Sequence, residues 1–233
     1  AARVAMEQVT TEVRGVLVVS VYESVATTLL PKALAILSER YPDLQIRSRQ
    51  LDNDPALDAL GRGDIDVAFA IDYPHSPDPP IPGIERHAVT DDPFRLIVPA
   101  DSDLHGPRVA LAGLAGRSFI GSSPFDSCGR CMADACRAAG FEPDIVHQLD
   151  DYPTILRLVA GGHGIGLVPD LGLDHVPDGV RVLDIDPPFR RTVQLACRRT
   201  SAQRPSVVAF REVVDEAVAH RHAEMAARHG LAG

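Results

Sequence analysis

The sequence predicts an α/β protein with two lobes, each built around its own sheet. Two patterns carry this prediction: strands and helices alternate over the first 70 residues, and a second alternation begins at Ser118. A strand–helix–strand order implies parallel strands joined by right-handed crossovers. The chain has 233 residues, of which 45% are hydrophobic, so it is long enough to bury a core in each of two modest lobes.

The first alternation is read from hydrophobic spacing. The continuous apolar run at residues 16–21 is typical of a strand covered on both faces. Apolar residues then recur at helical spacing from Leu30 to Tyr41, and a second, short helix opens at Asp54 and ends near Gly61. The strands predicted in this half are residues 16–21, 44–49, 65–70, 84–89 and 94–99.

The second alternation follows a Pro-rich loop and the last two of those strands. Gly140 ends one of its helices, and the last helix carries an apolar stripe that begins at Val207. The predicted strands are residues 118–121, 145–149, 164–169, 180–185 and 192–198, and the helices are residues 128–139, 152–160 and 207–227. A cleft between two such lobes is a common place for a small molecule to bind.

Composition and motifs exclude several classes of function. The formal net charge of −9 argues against nucleic-acid binding by bulk electrostatics. No run of 18 apolar residues predicts a membrane span, and no signal-peptide pattern opens the chain, so we expect reduced thiols and a cytoplasmic location. The glycines of GGHGIG at residues 161–166 close a helix rather than open one, unlike a dinucleotide fingerprint. With no nucleophile–base pair and no metal cluster, we expect neither an enzyme nor a cofactor.

Three segments together resemble one known family. The segments LLPKALAILSERYPDLQIRSR, ALGRGDIDVAFA and CRAAGFEPDIVHQLDDYPTILRLVAGGHGIGLVP begin at Leu29, Ala59 and Cys136. In this order and spacing they are similar to the effector-binding domain of LysR-type transcriptional regulators, over about residues 15–215. The resemblance implies a fold like that of the type 2 periplasmic binding proteins: two Rossmann-like lobes, two crossover strands and one effector cleft.

The resemblance also implies how the chain is divided. Residues 1–14 would end a linker helix, and the winged helix-turn-helix that precedes this helix in the family is absent from this chain. Lobe I would be residues 15–93 plus 199–225, lobe II would be residues 100–191, and the crossover strands would be residues 94–99 and 192–198.

Polar residues stand where the first strand meets the first helix. Tyr22, Glu23 and Ser24 occupy this junction, and a helix N-terminus favours an anion. In the family resembled, this turn is the lip of the effector pocket, and Ser24 falls where a Ser or Thr often binds an effector carboxylate. An ordinary N-cap is the alternative for Ser24. Glu23 would repel a carboxylate unless it turns away or pairs, and it could instead select a cationic or hydroxylated effector.

Further pocket residues follow from position in the resemblance. In lobe I, the polar residue Asn53 opens the second helix. The apolar residues Ala70 and Ile71 end the third strand and would form an apolar wall of the pocket. In lobe II, residues after the strand at 118–121 face the first lip, with plain turn chemistry as the alternative for the serines. A tyrosine at the next helix start is also expected to reach the cleft. With the first lip, the set is Tyr22, Glu23, Ser24, Asn53, Ala70, Ile71, Ser122, Ser123, Phe125 and Tyr152.

Three cysteines cluster at the start of one predicted helix. Cys128, Cys131 and Cys136 could be inert core residues, could form a disulfide, or could hold zinc with a remote ligand such as His147. A helix start would lower the pKa of Cys128. The peroxide-sensing members of the family carry a reactive and a resolving cysteine in this region, and Cys136 matches the second. The spacing to Cys128 departs from theirs by one residue.

These observations lead to one main hypothesis and two alternatives. The main one is a ligand-sensing domain of a transcription factor, whose small effector, a carboxylate, alters dimer or tetramer geometry. The alternatives are a thiol redox sensor that uses Cys128 and Cys136, and a solute-binding protein of a transport system. The resemblance implies homodimers or tetramers that pair through the helices at residues 33–41 and 132–139. It also implies DNA contact only through the helix-turn-helix, possible contact with RNA polymerase, and no membrane partner.

Overall fold

Parallel strands and their helices form the first of two lobes. The computed structural model describes residues 13–73, 79–124 and 126–230. The predicted linker helix therefore falls almost wholly outside the described residues, as does Phe125; Val13 and Arg14 are described and are not helical. Lobe I contains β1 (Gly15–Val21), α1 (Glu23–Arg40), β2 (Leu44–Gln50), α2 (Asn53–Arg62) and β3 (Val67–Asp72).

The three strands of lobe I are parallel, because a helix carries the chain back between each pair. β1 lies between β2 and β3 and is hydrogen-bonded to both. Gly63 ends α2 in the left-handed region, at φ 85°, where a side chain would be strained. The apolar sides of β1 and β3 pack against α1 and the last helix, α5 (Pro205–Gly230). The carboxyl ends of all three strands consequently meet at one edge of the sheet.

Lobe II repeats this arrangement on a smaller scale. The strands β6 and β7 are parallel, and a single bridge between Phe119 and Ile165 connects them to the main sheet. Helix α4 covers the apolar face of this lobe around Ile155 and Val159. The elements of lobe II are β5 (Arg108–Ala110), β6 (Ser118–Gly121), α3 (Ser127–Ala138), β7 (Asp144–Gln148), α4 (Tyr152–Ala160), β8 (Gly166–Pro169) and β9 (Val180–Asp186).

Two long antiparallel strands, β4 (Ile84–Pro99) and β10 (Arg190–Arg198), link the lobes. Along the main sheet the order is β2-β1-β3-β10-β4-β9-β5, with β8 also paired to β4. The first part of β4 pairs with β10, and its last part, from Phe94, pairs with β8 and β9. The Phe94 amide donates to the Phe189 carbonyl at 3.0 Å, and the two rings stack with centroids 4.5 Å apart. The two connections therefore lie side by side where the chain passes between lobes.

The predicted break in β4 is wrong. The sequence predicts separate strands at residues 84–89 and 94–99, because the residues between them, Thr90, Asp91, Asp92 and Pro93, are polar or strand-breaking. The structure has one strand of 16 residues across this segment. It continues because Asp92, in register with Arg191 of β10, is paired with that residue inside the protein. The short strand β5 is absent from the sequence prediction, since three residues carry no readable period.

Candidate functional site

A cavity of about 340 Å³ lies between the two lobes, within the size range of small-molecule sites. It opens at the carboxyl ends of the parallel strands, as expected for open α/β sheets. Tyr22 and Tyr73 follow β1 and β3 on the lobe I side, while Ser122 and Asp150 follow β6 and β7 on the lobe II side. Helices α1, α2, α3 and α4 all start at this cavity, because each follows one of the strands that end there.

A buried ion pair between β4 and β10 lies beside the cavity, which its Arg191 side lines. Arg191 and Asp92 are each 1% exposed, and the Nε and Nη2 atoms of Arg191 both lie 2.8 Å from Oδ2 of Asp92. The other carboxylate oxygen of Asp92 accepts a hydrogen bond from the Leu171 amide at 3.0 Å. Burial raises the pKa of Asp92, and the Arg191 guanidinium and the Leu171 amide oppose that rise. The carboxylate therefore holds together the connecting strand β10 and the Leu171 segment of lobe II.

Arg191 also organises the start of α1. Its Nη2 donates to Oγ of Ser24 at 2.7 Å, and its Nη1 lies 3.5 Å from the Tyr152 hydroxyl. The guanidinium carbon is 5.2 Å from the centroid of the Tyr22 ring, a distance at which a cation–π contact is favourable. The alternative role expected for Ser24, that of an N-cap, is wrong. The N-cap position of α1 is Tyr22, and no side chain caps this helix.

Two buried tyrosine hydroxyls beside the cavity have no hydrogen-bond partner among the described residues. Tyr22 is 6% exposed and Tyr73 is 4% exposed, and among the described residues neither hydroxyl has a partner of suitable geometry, although Tyr73 lies beside the Cys128 thiol. A buried polar atom without a partner is costly. Both residues line the cavity, but their hydroxyl oxygens have almost no accessible surface, so they lie behind the cavity wall.

A contact between the lobes closes one side of the cavity. The backbone amide of Tyr152, at the start of α4, donates to Oε2 of Glu23 at 3.3 Å. Burial raises the pKa of Glu23, the Tyr152 amide lowers it, and the neighbouring carboxylates of Asp151 and Asp150 raise it further. Negative groups of the two lobes therefore face one another at this point. Asp151 itself caps α4, because its side chain accepts from the Thr154 amide at 2.8 Å.

The cysteine cluster is only partly at the cavity. Cys128 lines it, whereas Cys131 and Cys136 are buried, and all four cysteines of the chain are unpaired thiols. Burial raises the pKa of Cys128, and it raises those of Cys131 and Cys136 to about 12. The expected lowering of the Cys128 pKa is wrong, because burial outweighs the Arg191 charge and the helix start. Among the described residues, no group of three or more His, Cys, Asp or Glu side chains could hold a metal ion.

The structure brings most of the predicted site residues together. Ala70 and Ser123 do not line the cavity; Ala70 is instead fully buried against α2. The predicted residues that do line it are Tyr22, Glu23, Ser24, Asn53, Ile71, Ser122 and Tyr152. Asn53 is fixed in place, because its Oδ1 accepts from the Ile71 amide at 2.9 Å.

Sequence reasoning missed Arg191, Tyr73 and Asp92. Arg191 and Asp92 are distant in the chain, and no local pattern relates them; only the pairing of β4 with β10 does. Tyr73 had a usable signal, since it directly follows the third strand, as Tyr22 follows the first. In the part of the chain that the structure describes, no helix is long and apolar enough to cross a membrane.

These features define a class of protein: a two-lobed binding domain with a polar cleft, in which two adjacent strands connect the lobes. The sequence profile of the LysR substrate binding domain matches residues 10–219. The chain belongs to this family, and it has the type 2 periplasmic-binding-protein-like fold of that domain.

Curated relatives are transcriptional regulators. An uncharacterized HTH-type regulator, YfeR of Shigella flexneri, is 26% identical over 94% of this chain and 69% of its own length. The probable HTH-type regulator LrrA of Synechococcus elongatus is 24% identical over 86% of this chain and 66% of its own length. The chain thus spans about two thirds of the length of these relatives.

Solved structures show the same fold. A cysteine mutant of OxyR from Corynebacterium glutamicum has a TM-score of 0.79 at 23% identity, covering 93% of this chain and 68% of that one. The effector-binding domain of BenM with its effector benzoate has a TM-score of 0.77 at 20% identity, covering 89% of this chain and 93% of that one.

Proposed function

We propose that this chain is the ligand-sensing part of a LysR-type transcriptional regulator. A small effector binds between the lobes and changes their relative position, and the change reaches DNA through a helix-turn-helix in the whole protein. The observation that carries the proposal is the cavity of about 340 Å³ between the lobes, which polar and aromatic side chains from both lobes line. An effector shifts the lobes only if it binds one arrangement better than the other.

The effector is small and at least partly polar. The cavity of about 340 Å³ excludes a macromolecular ligand. Its walls combine aromatic carbon from Tyr22, Tyr73 and Tyr152 with hydroxyl and amide groups from Ser122 and Asn53. Such a surface binds a molecule with both an apolar body and hydrogen-bonding groups.

A thermal-melt screen of the purified chain tests this proposal. A ligand at about 100 times its Kd adds roughly 2.7 kcal/mol of stability, which raises the midpoint by about 5 to 11 °C for a domain of this size. Ser122→Ala should weaken the response, because it removes a hydroxyl of a residue that lines the cavity. Ser38→Ala, which removes an exposed hydroxyl of α1 outside the cavity, is the matched control. If no small molecule raises the midpoint, or if both variants respond equally, binding in this cavity is refuted.

Thiol sensing is the second candidate, because two relatives from Dickeya chrysanthemi and Streptomyces viridosporus are described as hydrogen peroxide-inducible genes activators, the latter as a probable one. The raised pKa of Cys128 opposes it, since the thiolate is the reactive form. If hydrogen peroxide changes the melting midpoint of the chain, and the change is lost in Cys128→Ser but kept in Cys197→Ser, thiol sensing is favoured over ligand sensing.

We further propose that the domain forms a homodimer, or a tetramer in the whole protein, by pairing of the second half of α1 with α3. Light scattering after gel filtration measures the mass directly. The chain has a mass of 25.0 kDa, so a dimer has twice that value. A charge introduced at Ala35, an exposed residue of α1, should dissociate the dimer. The same substitution at Ala138, an exposed residue at the end of α3, tests the partner helix.

A further inference from the structure

Helix α5 is fixed to lobe I along its first half. The ring of Phe210, which is fully buried, meets the ring of Phe69 in β3 edge to face, with centroids 6.1 Å apart. Glu216 forms an ion pair with Arg40 of α1, with 2.8 Å between the charged atoms. Further fully buried apolar residues of this part of the helix are Val213, Val214 and Ala217. The first half of α5 therefore moves with lobe I.

The next turn of α5 reaches lobe II. Arg221 is 9% exposed, and arginine is seldom so buried without a partner. Its Nη1 lies 3.0 Å from Oδ1 of Asp174, and its Nη2 donates to the Asp170 carbonyl oxygen at 3.2 Å. Both aspartates lie in the chain between β8 and β9 of lobe II. A buried cation of lobe I is thus bonded at two points to lobe II, separately from the two connecting strands.

The segment that Arg221 holds, residues 170–174, also supports the wall of the cavity. Gly172 lies against the ring of Tyr152, since a Cβ at this glycine would be 2.9 Å from Cγ and Cδ2 of that ring. Tyr152 lines the cavity, and its hydroxyl lies 3.5 Å from Nη1 of Arg191. A continuous set of contacts consequently runs from α5, through the segment, to the cavity.

Rotation of the lobes about the connecting strands would break the Arg221 contacts or deform the segment. α5 moves with lobe I, whereas β8 and β9, which flank the segment, are paired with the last part of β4 in lobe II. Hydrogen bonds weaken steeply with distance and angle, so a small displacement of α5 against the segment is enough to lose these contacts. The buried charge of Arg221 would then lose its counterion, Asp174, which is unfavourable.

We propose that Arg221 is a latch between the lobes, which holds the present arrangement and is released when the lobes rotate. The latch acts in the chain without a ligand. Its role in regulation rests on the proposed ligand-sensing function: an effector that favours another arrangement must offset this contact by its differential affinity for the two arrangements. Because Gly172 contacts Tyr152, a ligand that displaces this ring reaches the latch through residues 170–174.

A distance between the lobes tests the latch without any ligand. Asp58 of α2 and Arg157 of α4 are exposed and lie on different lobes. Spin labels can be attached there through azide-bearing amino acids, which leaves the native thiols unmodified. Dilution with unlabelled chain restricts pulsed electron resonance to distances within one chain. We expect one narrow distribution for the wild-type chain. Arg221→Met, which removes both contacts and keeps an apolar stem, should broaden the distribution or displace its maximum.

Two further variants make the comparison decisive. Asp174→Asn removes the counterion at a side chain that is 33% exposed, so folding should be retained. It should broaden the distribution less than Arg221→Met does, because the contact with the Asp170 carbonyl oxygen remains. Arg40→Met is the control: it breaks the ion pair of α5 with Glu216 within lobe I, and it should leave the distribution unchanged.

The outcomes distinguish a latch from a contact that only stabilises the fold. If Arg221→Met and Asp174→Asn lower the melting midpoint but keep the wild-type distances, Arg221 is merely structural and the latch is overturned. Equal broadening in Arg40→Met also overturns it, because any loosening of α5 would then have the same effect. Since the distances are measured without a ligand, they decide the latch whatever the compound screen finds. A screen without any response refutes the ligand-sensing function alone.

Discussion

Replacing Asp92 by asparagine should destabilise the protein strongly, because it leaves the Arg191 charge buried without its counterion. Both residues are 1% exposed. The oxygen of the variant's amide can still accept from the Leu171 amide, but the nitrogen that replaces Oδ2 cannot accept from Arg191, so the change removes the charge and the hydrogen bonds of the pair. Removing one partner of a buried ion pair costs about 3–5 kcal/mol. For a chain of this size, that loss lowers the midpoint by about 6 to 20 °C.

Urea unfolding at neutral pH measures this loss, and an exposed pair in the same chain is the control. Arg117 and Asp103 approach to 2.7 Å, but their side chains are 39% and 69% exposed. Asp103→Asn should therefore leave the free energy of unfolding almost unchanged. The double variant Asp92→Asn with Arg191→Met should recover part of the loss, since no charge is then buried. If Asp92→Asn costs no more than Asp103→Asn, the buried pair is not formed in solution and the reasoning fails.

Three further predictions concern the cavity and the helix beside it. Glu23→Gln should raise the melting midpoint at pH 7 and leave it unchanged below about pH 4; burial raises the pKa of Glu23, so folding is less favourable once pH exceeds that raised value. Equal effects at both pH values would refute this. Gly129→Ala should cost at least about 1–3 kcal/mol, because a Cβ there would lie 2.0 Å from the Ser123 carbonyl oxygen. Gly61→Ala in α2, where a Cβ would meet open space, should instead raise the free energy of unfolding by about 0.5–1 kcal/mol. Chemical denaturation measures both variants, and equal losses of stability would contradict the packing described for Gly129. The Cys128 thiol should react with iodoacetamide at pH 7 more slowly than N-acetylcysteine does, because its pKa is raised; faster labelling, followed by mass spectrometry, would contradict the burial argument.

Local patterns predicted most of the elements, and pairings between distant residues decided the rest. The spacing of apolar residues was enough for β1 and α4, whose bounds agree with the structure to within a residue, whereas α1 begins at Glu23, seven residues before the apolar period starts at Leu30. The same spacing failed across Asp92 and Pro93, because a buried carboxylate cannot be distinguished from an exposed one until its partner is known. The site followed the same rule. Residues next to strand ends could be expected at the cavity from the sequence, as Glu23 was. The position of Arg191 at the cavity depends on the register of β10 with β4, which the sequence does not reveal.

The junction of Phe94 with Phe189 has a consequence for how the lobes can move. The two connecting strands are hydrogen-bonded there and their rings are stacked, so they cannot separate or slide independently. Two connections fixed side by side act as a hinge, whose axis passes through both of them. Relative motion of the lobes is thereby reduced mainly to one rotation about the line through this junction. The position of the lobes can then be reported by a single distance, such as that between labels at Asp58 and Arg157, two exposed residues on opposite sides of the cavity.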